Sequence, residues 1–339
     1  MELIDIVAAH SVKVSIIVAT LNSERTLNDC LKSIFELNYP KDCFEVIVVD
    51  GCSRDKTVEI ARGYPAKVFV EPLNAPAAYN YAIRKARYDI IGFIDADARV
   101  EREWLNKLVP YLSDMQVAGV GGGIETWNIE NVWSRSIGYD IKNRYERLKD
   151  YVKRIATMNL LLKKNVIEEV GGFDETLPTQ YDTDLGVRIT SKGYKIAFNP
   201  NAKCYHYNRS TLWDYFKQQL QYGKNTVKLY FKHSDLIRGD EITDFCMNIQ
   251  PSLLALGIIF LFLGFPEPLR LFWYLSVALF SAILVYYFAL AAKLSLKFKD
   301  VTAMVLAVLY FVRAIAWLTG ALIMVISHPS KKSRVTKNG

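Results

Sequence analysis

Over the first hundred positions, short apolar runs alternate with segments whose apolar residues recur every three or four. The runs at 14–19, 44–49, 67–70 and 90–94 read as strands, too continuous to leave one face in water. Between them, Leu27, Leu31, Ile34 and Phe35 make one face of a helix, for which Asn22 or Ser23 is the expected cap. Ser53 is expected to cap a short helix reaching Ile60, and residues 77–86 read as a third helix. This β-α-β-α-β-α-β order predicts an α/β fold with a mostly parallel sheet covered on both faces. In such sheets, ligands sit outside the carboxyl ends of the strands.

The pattern changes after residue 240. Three apolar blocks follow, at 252–265, 271–292 and 301–327; the second is uncharged and the third is interrupted only by Arg313. The second and third are long enough to cross a bilayer. The first has the length of a re-entrant or interfacial segment unless 245–249 extends it. The expected organisation is a soluble domain at 1–240, with interface helices at about 210–232, then a region at 241–330 with two or three spanning helices, and a basic tail at 331–339. Residues 1–12 lack a basic stretch followed by a long apolar core, so no secretory signal is expected and the front domain should stay in the cytosol of a multi-pass membrane protein. Lys293, Lys297 and Lys299 precede the last block, and Lys331, Lys332, Arg334 and Lys337 follow it. The positive-inside rule therefore pulls both ends of one helix to the same side, which implies a bent or partly interfacial segment.

The formal charge of +7 suits an anionic membrane surface or a phosphate-bearing substrate, and no basic, aromatic-interleaved motif argues for nucleic acid. Five cysteines without CxxC spacing argue against a disulfide framework or a zinc site. The first turn after a strand reads ATLNSE, with no glycine, which excludes the GxGxxG signature of dinucleotide binding. Polar groups nevertheless collect at the strand ends: Thr20 and Asn22 after the first, Asp50 after the second, Asp95 and Asp97 after the fourth. In FIDADA two carboxylates stand one alanine apart and repel each other unless a cation or donor groups balance them. Mg²⁺ or Mn²⁺, which take one or two carboxylates and fill their shell with substrate phosphates, suit that arrangement.

As a set, VSIIVATLNSERTL, EVIVVDGCSRDKT, FIDADA, GGFDE and YDTDLGVRI resemble family 2 glycosyltransferases of the GT-A fold, over nearly all of residues 13–225. DGCSRDKT and QQLQYG are most similar to the membrane-anchored polysaccharide-synthesis branch, which includes succinoglycan-type transferases and, more distantly, cellulose and hyaluronan synthases. The resemblance implies that Thr20, Asn22, Glu24 and Asp50 hold the base and ribose of a nucleotide-diphosphate sugar. It likewise implies that Asp95 contacts the nucleoside and that Asp97 ligates the metal. Asn80 falls where the family places a donor-pocket residue, and 157–159 would line the acceptor side. His206 would add a metal or diphosphate ligand, and Arg209 would pair with diphosphate oxygens or lipid headgroups.

Processive synthases carry QxxRW where this chain has QQLQY: Gln218 stays, Gln221 replaces the arginine and Tyr222 the tryptophan. A stacking surface survives and the cation does not, although Lys224 is near, which argues against processivity. The same stretch reads as an amphipathic helix at the membrane surface, with Trp213, Phe216 and Leu220 on one side. The basic residues of 142–154 read as a solvated helix face before they read as a lipid-phosphate site. The general base is sought among Asp174, Glu175, Asp182 and Asp184; the resemblance selects Asp182, whose place at a helix start favours its ionised form. Asp184 is expected to pair with Arg188 at i+4. The expected activity is inverting, metal-dependent sugar transfer to a lipid-linked or growing glycan acceptor at the membrane. The alternatives are a processive synthase that also translocates its polymer and a non-catalytic scaffold that binds nucleotide sugar.

Overall fold

The structure, a computed structural model, describes residues 12–327. Strands β1 (Val14–Thr20), β2 (Phe44–Asp50), β3 (Lys67–Val70) and β4 (Ile90–Phe93) lie parallel in the order β3-β2-β1-β4. They are joined by α1 (Leu27–Phe35), α2 (Thr57–Arg62) and α3 (Ala75–Lys85). All seven residues of β1 are buried except half-buried Ala19, as a strand covered on both faces requires.

Two of the expected caps are absent. Helix α1 starts only at Leu27, because Thr26 and Leu27 first donate to the carbonyl of Ser23 in a turn. Asn22 sits in the left-handed region at φ 50° and accepts a hydrogen bond from the Arg54 N–H. Ser53 does not cap α2; its N–H and hydroxyl donate to Asp50 instead. Helix α3 begins two residues early because Asn74 caps it, accepting from the Ala77 N–H.

Beyond β4 the sheet is mixed. The further strands are β5 (Ala98–Val100), β6 (Val117–Thr126), β7 (Tyr151–Val152), β8 (Leu160–Lys163) and β9 (Lys195–His206). β8 pairs antiparallel with both β4 and β6, β6 runs parallel to β9, and β5 returns antiparallel along β9. The glycine run at 119–123 serves this packing: a Cβ at Gly123 would lie 2.7 Å from the Pro200 carbonyl, where the pairing of β6 and β9 shifts register. Helices α4 (Trp104–Leu108), α5 (Val132–Tyr145), α6 (Lys164–Glu169) and α7 (Tyr181–Ser191) complete this part.

A long helix, α8 (Leu212–Lys232), leads to α9 (Phe245–Leu263), α10 (Arg270–Phe298) and α11 (Leu306–Ser327). Residues 245–249 do extend the first apolar block, with Asp244 capping α9, so three helices among the described residues are long and apolar enough to cross a membrane. α8 packs against α11 so closely that a Cβ at Gly223 would lie 2.6 Å from the Trp317 Cα. Trp213, stacked on Phe216, stays outside this contact, 64% exposed.

The end of α10 and the loop after it dock on α5 and the residue following it: Lys297 bridges to Glu146 at 2.7 Å, and Tyr139 donates to Asp300 at 2.6 Å. Half of the charge conflict is thereby answered, since this lysine-bearing loop lies on the side of the sheet domain. The basic tail and the expectation for the amino terminus (residues 1–11 and 328–339) lie outside the described residues.

Candidate active site

Asp95 and Asp97 sit where the chain turns from β4 into β5. Asp95 Oδ1 accepts from the Tyr79 hydroxyl at 2.9 Å and from Thr157 Oγ1 at 3.0 Å. Asp97 faces an imidazole and a guanidinium: His206 Nε2 lies 3.4 Å from Oδ1, and Arg209 Nη1 3.7 Å from Oδ2. Register explains the approach, since β5 pairs Ala98 opposite His206. Burial and the charge of Asp97 push the Asp95 carboxyl up; burial acts on Asp97 too, but His206 and Arg209 outweigh it and hold Asp97 below the usual aspartate range.

The tautomer of His206 follows from its neighbour. Asn208 Nδ2 donates to the Ser134 carbonyl, so Asn208 Oδ1 must face His206 Nδ1, 2.8 Å away. Nδ1 therefore carries a proton, and Nε2 is left facing Asp97. One carboxylate and one imidazole nitrogen thus converge on the same space, a donor set that fits Mn²⁺ or Mg²⁺. Among the described residues no group of three or more His, Cys, Asp or Glu converges, so such an ion would need oxygens from its substrate.

At the ends of β1 and β2, Asp50 is spent on Ser53 and Glu24 Oε2 accepts the Lys56 N–H at 3.1 Å, and neither is among the residues lining the crevice. These groups and Asn22 brace the two loops at the ends of β1 and β2. Thr20 Oγ1 is buried without a partner among the described residues, as a group awaiting a ligand would be. The crevice between these loops and α8 is lined by Asn22, Asp97, Arg209, Gln218 and Tyr222. The cations on its walls are Arg25, Arg209 and Lys217. Lys224, near the missing arginine in sequence, is not among them; its backbone packs against Gly320 of α11.

Three further expectations are corrected. Asn80 lines neither the crevice nor the adjoining cavity: its amide is used in full, accepting from the Phe173 N–H and donating to the Phe173 carbonyl and Glu175, so it ties down the 171–175 loop. Asn159 is buried, bonded to Trp104, Gly123 and Ala202, and does not face an acceptor. The basic residues of 142–154 form a solvated face only in part, since Arg147, Lys149 and Lys153 are exposed. Arg154 forms a buried pair with Asp240 at 2.6 Å, and Arg144 pairs with Asp140 at 3.1 Å.

A cavity of about 300 Å³ adjoins the crevice across Arg209, Gln218 and Tyr222 and contains both Asp95 and Asp182. Asp182, at the second position of α7, receives the Thr183 N–H at 2.8 Å. Burial raises its pKa, opposed by Arg154 and that hydrogen bond, so desolvation outweighs the helix-start effect expected from position. The other three candidate carboxylates are committed elsewhere: Asp174 to Lys232, Glu175 to Asn80, and Asp184 to Arg188, Lys232 and His233. Part of the cavity wall belongs to α11, with Leu306, Leu309, Arg313 and Trp317. Sequence reading passed over Asp140, Lys217 and Arg313 as site residues, and took Arg154 first as part of a solvated face; of the three passed over, only Arg313 carried a signal, as a lone charge in an apolar block.

Residues 15–170 match the family described as Glycosyl transferase family 2. Glycosyltransferase AglE of Haloferax volcanii is 29% identical over 226 residues, 64% of this chain and 74% of its own. The dolichyl N-acetyl-alpha-D-glucosaminyl phosphate 3-beta-D-2,3-diacetamido-2,3-dideoxy-beta-D-glucuronosyltransferase of Methanococcus voltae is 26% identical over 230 residues, covering 62% and 71%. Among solved structures, the mannosyltransferase PcManGT from Pyrobaculum calidifontis, in complex with GDP-Man and Mn²⁺, superposes with a TM-score of 0.56 at 21% identity. That likeness covers 90% of this chain and 87% of the other, and it is one of fold.

Proposed function

Because the chain carries a glycosyl transferase family 2 domain on a GT-A fold, we propose that it is a membrane-bound inverting glycosyltransferase moving a sugar from a nucleotide-diphosphate donor to a lipid-linked or growing glycan acceptor. One observation carries this reading: a single cavity is lined both by Asp95 and Asp182 and by residues of a membrane-length helix. One relative's name gives a dolichyl-linked sugar phosphate as its acceptor, and a structural neighbour was solved with GDP-Man and Mn²⁺.

The donor lies in the crevice, its nucleoside against the loops bearing Thr20, Asn22 and Asp50 and its diphosphate toward Arg25, Arg209 and Lys217. Asp97 and His206 would hold Mg²⁺ or Mn²⁺, which would supply positive charge to neutralise the departing diphosphate. Tyr222 and Gln218 line the passage from crevice to cavity, beside the transferred sugar. An acceptor hydroxyl in the cavity attacks the anomeric carbon opposite the diphosphate. A carbon–oxygen bond forms, the bond to the diphosphate breaks with its electron pair leaving on phosphate, and the hydroxyl proton passes to Asp182. Attack from the opposite face inverts the anomeric centre. The sheet domain is placed in the cytosol of a cell, where nucleotide sugars are made.

The test is product analysis with full-length protein in liposomes and radiolabelled nucleotide sugar. Label extracted with the lipid as a single added sugar is the expected result. Long polymer protected inside the vesicles would favour a processive, translocating synthase instead, and nucleotide binding without transfer to any acceptor would favour a scaffold.

A further inference from the structure

Helix α11 carries one charged residue, Arg313, in its second turn. An arginine in a segment apolar enough to span a membrane marks a functional site by default. Its side chain is buried, 4% exposed as a residue, and lies over the rings of Tyr310 and Trp317, 4.8 and 5.7 Å from their centroids. Of its five N–H donors only one, on Nη1, finds an acceptor among the described residues: Asp140 Oδ2 at 3.4 Å. The same oxygen lies 3.1 Å from Arg144 Nη2, while Asp140 Oδ1 accepts from the Tyr310 hydroxyl at 2.9 Å. Two guanidinium groups therefore share one carboxylate, and an excess positive charge with spare donors opens onto the cavity that also holds Asp182. A buried excess charge is costly unless an anion completes it.

We propose that Arg144 and Arg313 receive the phosphate of a membrane-resident lipid phosphate, the head of the acceptor whose hydroxyl is presented to Asp182. This rests on the transferase reading above and names the anchoring chemistry of its acceptor. A lipid fits better than a free phosphate because Leu306 and Leu309 of α11 and Ile137 of α5 make the adjoining wall apolar. The donor diphosphate is not the occupant, since Asp97, Arg25 and Lys217 lie in the crevice and do not line this cavity. If Arg313 and Asp140 merely pinned α11 to α5, their loss would lower stability and leave phosphate affinity in the folded protein untouched.

The test uses full-length protein in phosphatidylcholine nanodiscs. It compares affinity for a polyprenyl phosphate, the corresponding polyprenol and inorganic phosphate, in wild type, Arg144→Gln and Arg313→Lys. Nucleoside diphosphate affinity is measured in the same samples, and only folded fractions are scored. The expected result is tight binding of the lipid phosphate and much weaker binding of the polyprenol. Arg144→Gln should lose roughly ten- to a hundred-fold in lipid phosphate affinity with nucleotide affinity unchanged, and Arg313→Lys should lose less. Equal binding of polyprenol and its phosphate, or wild-type affinity in both variants, overturns the proposal while nucleotide binding stands. Inorganic phosphate competing as well as the lipid overturns the lipid assignment. A wild type that binds no nucleotide overturns the transferase reading itself.

Discussion

Asp95 and Asp97 are one alanine apart and differ in their partners. Asp95 is held by two hydroxyl donors from Tyr79 and Thr157, whereas Asp97 faces His206 and Arg209. Replacing Asp97 by Asn should therefore abolish the Mn²⁺-dependent part of nucleoside diphosphate binding in calorimetry. Wild-type affinity that ignores EDTA would contradict the metal assignment. Asp182 makes a pH prediction. Burial raises its pKa above 3.8, and a base must be ionised to take a proton. Turnover should accordingly fall as pH drops through that raised value, with an acid limb above the ordinary aspartate range; a pH–rate profile whose acid limb sits in the ordinary range would exclude Asp182. Asp184, two positions on, is fully buried and holds Arg188, Lys232 and His233, so Asp184→Asn should cost about 3–5 kcal/mol of stability, read by chemical denaturation. At this scale the placement of Asp95 and Asp97 was legible, because the end of an apolar run and the DAD spacing announce it. Asn80 and Asn159 were not, because an amide clamping a distant loop looks in sequence like an amide facing a ligand.

Among the elements, β1 to β4 were readable because a strand buried on both faces is an unbroken apolar run. The antiparallel part was not: β6 is a third glycine or more in its core, and its geometry depends on the close approach of β9, some eighty positions away. The caps misread for the same reason at shorter range, since Ser53 and Asn22 had partners in another loop that competed with capping. The α8–α11 contact is the element on which the cavity depends. Gly223→Val places methyl groups against the Trp317 backbone and should destabilise by about 1–3 kcal/mol. An unchanged melting temperature in detergent would show that the two helices do not hold this packing.

For the molecule as a whole, two regions were evident from hydropathy, but not that they share a site. A boundary at residue 240 divides a joint structure: Arg154 bonds Asp240 and Thr243, Lys297 bridges to Glu146, and Arg313 reaches Asp140. These partners are too far apart in sequence for any periodicity to connect them. Under the proposed function, the arrangement would explain why membrane-length helices accompany this fold, since one of them lines the cavity assigned to the acceptor. The most direct measurement is nucleoside diphosphate release by full-length protein in acceptor-bearing liposomes, across a panel of nucleotide sugars, in wild type and Asp182→Asn. The account predicts release with one donor, dependent on the acceptor. In the variant it predicts a rate lower by about a hundred- to ten-thousand-fold with donor binding intact. Near-normal release from Asp182→Asn, or no release from wild type with any donor, would contradict it.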